Sequence, residues 1–66
     1  MNILRRGTVL RLDRGEVYLV VVLLERASQN GWNCMVVGGT SETYTPGGWD
    51  IFVFDQDLQS AEEVRL

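Results

Sequence analysis

Apolar and polar residues alternate with period two in short runs along this chain, and glycine-containing turns separate the runs. Residues 8–12 form the first such run, with Leu10 and Leu12 on one face and Val9 and Arg11 on the other. Asp13-Arg14-Gly15-Glu16 follows as a tight hairpin, in which Gly15 supplies a left-handed residue and the Asp13 side chain caps the turn. Residues 17–26 make a long second strand. Residues 27–31 close the next hairpin, where Asn30-Gly31 is the strongest turn signal because both residues accept positive φ. Residues 32–37 form a third strand. A longer loop over 38–48 carries a short extended piece at 43–45 and ends in Pro46-Gly47-Gly48, which suits a type II turn. Residues 49–54 form the fourth strand. Alternation is then lost, and residues 55–63 are richer in helix formers. Asp57 or Ser60 is the expected N-cap, and Ser60 with Glu63 matches a capping box. One short helical turn and a brief strand at 64–66 complete the reading.

This order predicts one domain over residues 1–66: a mainly β, five-stranded SH3-like barrel with a short helical turn before the last strand. Closure would remove the free edges of an open sheet. Arg5-Arg6-Gly7-Thr8-Val9 through Tyr18-Leu19-Val20-Val21 resembles the opening hairpin of SH3-like barrels. More particularly, it is similar to small barrel proteins of unknown role from phages of GC-rich bacteria. The opening residues, less than a third of the chain, also resemble the mRNA-cleaving toxins of the same superfamily. The resemblance implies a barrel and a phage source. The additional loops and helices of the toxins are missing, so it implies no toxin activity here.

The second strand breaks the alternation. Val17, Leu19, Val21 and Leu23 occupy one face, yet Tyr18, Val20, Val22 and Leu24 make the other face apolar as well. A barrel has one interior, so one face should be polar. Three explanations stand: a sharp bend that lets the strand serve two halves of the barrel, a terminal segment lying over the outer face, or a surface for a protein partner or a second copy.

Composition narrows the chemistry. Sixty-six residues bury little surface, and chains of this size often add disulfides, a metal or a partner. Cys34 is the single cysteine and there is no histidine, so neither an intramolecular disulfide nor a thiol–imidazole zinc site can form. No metal or other cofactor is expected. A cytoplasmic location is expected from the lack of disulfides. The apolar run over 17–24 is too short to span a bilayer, and no leader peptide is expected from the first residues. Net charge is −3, but it is divided: residues 1–15 sum to +3 and residues 16–66 to −6. All six basic residues are arginine, which agrees with a GC-rich genome.

Catalysis at neutral pH without histidine would rest on a carboxylate of raised pKa. Asp55, Asp57, Glu62 and Glu63 sit in a tail that reads as a solvated helix cap, with no enclosed cleft around it. Cys34 lies in an apolar run with no cation adjacent in sequence, the setting of a buried structural thiol. Gly38-Gly39-Thr40-Ser41 lacks the lysine and following helix of a phosphate loop. The expectation is therefore a non-enzymatic module that binds a protein partner. Trp32, Tyr44 and Trp49 are its candidate anchors, since aromatics flanked by glycine are readily displayed. The competing reading has both tryptophans capping the core. The alternative function is nucleic-acid binding, with Arg5, Arg6 and Arg11 on phosphates and the aromatics stacked on bases. The negative total charge argues against strong non-specific affinity.

Overall fold

A computed structural model describes residues 2–40 and 50–65. The elements run β1 (Val9–Arg14), β2 (Val17–Ser28), β3 (Gly31–Gly39), β4 (Asp50–Phe54), α1 (Asp55–Gln59) and β5 (Glu62–Glu63). All neighbouring strands pair antiparallel in one sheet ordered β4-β3-β2-β1-β5. The mainly β fold and the helical turn ahead of the last strand match the sequence pattern. Closure does not follow: β4 and β5 end the sheet, and among the described residues no ladder joins them. The molecule measures 29 × 23 × 22 Å. A flat single sheet would be only about 10 Å thick, so this open sheet curls around its core.

Period-two alternation builds that core. Leu10 and Leu12 of β1 lie opposite Val21 and Leu19 of β2, and all four are buried. On the other side of β2, Leu23 and Val21 meet Cys34 and Val36 of β3. Cys34 and Trp32 in turn face Ile51 and Val53 of β4. Leu58 closes the core from α1 and is fully buried. Each such aliphatic side chain stabilises the fold by roughly 1.5–3 kcal/mol.

The long β2 serves both β1 and β3 because it is irregular. Its register against β3 shifts at Val20/Val21, Leu23/Glu25 and Arg26/Ser28. Such bulges bend a strand and raise its twist, which is how one strand belongs to both sides of the curl.

Gly15 adopts φ 70°, the left-handed conformation expected for the first hairpin. The second hairpin closes within 27–31 as expected, but not through positive φ at Asn30-Gly31. β2 runs on to Ser28, β3 begins at Gly31, and neither Asn30 nor Gly31 has positive φ. The turn is held instead by Ser28, whose Oγ donates to Asn30 Oδ1 at 2.7 Å and accepts the Asn30 N–H at 3.3 Å. Gly31 is needed for a different reason: a Cβ there would sit 2.0 Å from Cζ of Phe52.

The helix start also differs from expectation. Phe54, in extended conformation, precedes the first helical residue and gives no side-chain cap. Ser60 acts at the other end, where its Oγ donates to Asp57 O at 3.1 Å. β5 arrives earlier than 64–66, and the Val64 N–H continues the pairing to Val9 O at 2.9 Å. Asn2 fastens the opening segment by donating from Nδ2 to Leu58 O and Ala61 O at 2.8 and 2.7 Å. The extended piece at 43–45 and the Pro46-Gly47-Gly48 turn lie outside the described residues.

Candidate interaction face

The two faces of β2 have separate fates. Leu19, Val21 and Leu23 are buried, whereas Tyr18, Val20, Val22 and Leu24 are half-buried on the outer side. Cross-strand register extends this apolar band: Val9 and Met35 both lie opposite Val22, and Arg11 lies opposite Val20. The bulge at Val20/Val21 supplies the expected bend, yet the outer side chains remain partly in solvent. The terminal segment goes elsewhere, since Leu4 packs against the core cluster and Asn2 binds α1.

β4 carries the most exposed end of this surface. Ile51 and Val53 point inward with Cys34 and Trp32, which turns Asp50, Phe52 and Phe54 outward. Phe52 is 44% and Phe54 47% exposed, and their rings meet edge to face with centroids 5.0 Å apart. Val37 is exposed at the bulge facing Val20 and Val21. The signal for Phe52 and Phe54 was present in the sequence: both share parity with Asp50, a charge that does not enter a core without a partner. The sequence reading places the anchors on Trp32, Tyr44 and Trp49 because tryptophan and tyrosine are the commoner interface residues.

Of the expected anchors, Trp32 belongs to the core and is 7% exposed. The Arg26 guanidinium lies 5.1 Å from its ring and covers it. Arg26 also donates from Nη1 to Ser28 O, Gln29 O and Asp55 Oδ2 at 3.2, 3.3 and 3.0 Å. One side chain thereby ties the second hairpin to the start of α1. Tyr44 and Trp49 lie outside the described residues.

The three arginines expected to act together are divided. The Thr8 N–H donates to Arg5 O at 3.1 Å in a turn where Gly7 has φ 90°. That turn sets Arg5 and Arg6 on the border of a groove of about 490 Å³, shared with Thr8, Val9, Glu63 and Val64. Neither makes an ion pair among the described residues. Arg11 is not part of this groove. It stacks 3.9 Å from the centroid of Tyr18 and donates from Nε to Asp13 Oδ1 at 3.1 Å, on the outer face of the sheet.

Cys34 is fully buried, and desolvation pushes its thiol up to about 11. A thiol in that state is neutral at physiological pH and a poor nucleophile. Among the described residues no three potential ligands cluster to hold a metal, and no helix is long and apolar enough to cross a membrane. Compared with protein-family models, curated proteins and solved structures, the chain matches none.

Proposed function

We propose that this chain is a non-enzymatic interaction module that offers the outer face of its sheet to a protein partner. The observation that carries the reading is the exposed, edge-to-face pair Phe52–Phe54 at the end of an apolar band on β2 and β3. Large aromatics standing together in solvent are typical interface anchors, and patches of this kind are uncommon on monomers. Trp32 supports the face from beneath as a core residue. Tyr44 and Trp49 stay in the proposal on sequence alone. The strand order and the helical turn before β5 support an SH3-like barrel left open between β4 and β5, in keeping with a phage barrel protein. The deep placement of Cys34, the exposure of Glu62 and Glu63 and the pairing of Asp55 with Arg26 favour a binding role over an enzymatic one.

The test is affinity capture from a GC-rich bacterial lysate, with and without nuclease, using the wild type beside Phe54→Ser. A protein that survives nuclease and is held at least tenfold less by the variant supports the reading. Equal capture by both sinks it. Nucleic-acid binding is the second reading, favoured by Arg5 and Arg6, which border a groove and make no ion pair among the described residues. It expects capture that nuclease abolishes, and affinity that falls steeply with salt.

A further inference from the structure

We propose that β4 is the seam along which two copies of this chain join, pairing antiparallel and edge to edge about Phe52. This deepens the interaction reading by naming a second copy as one occupant of the β4 end of the surface.

The hydrogen-bond pattern shows which backbone groups are free. The Asp55 N–H donates to Asn30 O at 2.8 Å, in register with the β3–β4 ladder. In an antiparallel pair, bonded and non-bonded positions alternate. Val53–Trp32 and Ile51–Cys34 are therefore the bonded pairs, and Phe54, Phe52 and Asp50 aim their N–H and C=O groups away from β3. No strand receives them among the described residues, because β4 ends the sheet. A cleft of about 330 Å³ separates Ile51, Phe52 and Val53 from Leu12, Arg14, Val17 and Leu19, so β1 and β2 do not pair with this edge.

The strand is also complementary to itself. Phe52 is the middle of its five residues. A two-fold axis there sets Phe52 against Phe52 of the second copy and Asp50 against its Phe54. All three outward positions then become bonded, giving about six backbone hydrogen bonds. Both aromatic pairs fall on one face of a continuous sheet. The single charge of the strand, Asp50, meets a phenyl ring and not another carboxylate, so like charges do not oppose the seam. No lysine or proline lies within β4 to block such pairing. A seam of this length buries less than the roughly 800 Å² per partner of a standard interface, so dissociation falls in the micromolar range.

Sedimentation of the wild type across roughly 5–500 µM tests the seam, with micromolar dissociation expected from its small area. The expected result is a mass that doubles with concentration. Phe52→Lys and Phe52→Glu should each be monomeric, because the axis opposes like charges, and an equimolar mixture of the two should re-form a dimer. Hydrogen exchange supplies a readout that needs no variant. The amides of Phe52 and Phe54 should slow at least tenfold between the dilute and concentrated protein, while those of Ile51 and Val53 stay unchanged. A wild type that is monomeric throughout, or a dimer that slows neither outward amide, overturns the proposal. A monomer that still captures a partner removes this inference alone; a dimer that captures nothing removes the partner reading alone.

Discussion

The two ends of the sheet are protected very differently. β5 has two residues, both exposed glutamates, and its neighbour Arg65 pairs with Glu63 at 3.6 Å. β4 has five residues, of which Asp50 is the one charge, and it turns two aromatic rings outward. Short, charged edges repel added strands, and longer apolar edges attract them. The sheet thus closes off one end chemically and leaves the other ready to pair. The charge division of the sequence is consistent with this, since the acidic tail supplies the guard at β5. α1 lies between the two ends and is anchored by Leu58.

The largest expected effect comes from removing that anchor. Leu58→Ala should cost about 3 kcal/mol, because the side chain is fully buried and the core cannot fully collapse around the gap. Urea denaturation measures it. Hydrogen exchange should show the Val64 amide losing protection before the amides of Ile51 and Val53, since β5 depends on α1 whereas β4 is held by β3.

A smaller effect tests the packing of β4. Gly31→Ala should cost roughly 1–2 kcal/mol by driving the Phe52 ring off β3. In a Phe52→Ala background the same change should be neutral or slightly stabilising, because the steric conflict is gone and the glycine's unfolded-state entropy is reduced. A cost that persists in the double variant would show that the ring is not the obstacle.

The β4 side also carries a buried titratable group, Cys34, paired in register with Ile51. Its thiol is neutral in the folded chain up to about pH 11, whereas in the unfolded chain it ionises near its ordinary value of 9.0. Between those values the unfolded state binds fewer protons, so stability falls as pH rises, by about 1.4 kcal/mol per pH unit. Alkaline denaturation curves of the wild type should show this slope, and Cys34→Ala should lack it. Equal slopes would mean that the thiol is reached by solvent.

The smallest change in stability should come from the guarded end. Replacing Glu62 and Glu63 together by Thr should alter stability by no more than about 0.5 kcal/mol, as expected for exposed positions. It should nevertheless raise association beyond a dimer in light scattering, because the second edge then resembles the first. Unchanged association would show that the shortness of β5, and not its charge, protects it.

Much of the fold was legible along the chain. The alternation of Leu10 and Leu12, and of Leu19, Val21 and Leu23, marked the core strands, and Gly15 marked its turn. These features are local, because side-chain period and positive φ belong to single residues and their neighbours. Gly31 carries a turn signal in the sequence, whereas its need for glycine is set by Phe52, a residue distant in sequence. Trp32 shares strand parity with Cys34 and Val36, which agrees with the reading of it as a core cap and not as an anchor. Arg5, Arg6 and Arg11 looked like one basic group, but strand geometry turned Arg11 toward Tyr18 and away from the groove.

By itself, then, the sequence determined the strands, their inner faces, the helical turn before β5 and the unusual second apolar face of β2. Backbone period and hydrophobic burial act over a few residues, and they write themselves directly into the order of side chains. Only the tertiary structure decided that the sheet stays open, that β4 is the unguarded end, and that no other described element covers Phe52 and Phe54 on their outward face. Those outcomes depend on which strands become neighbours and how far the sheet curls, and both are set by packing between residues far apart in the chain.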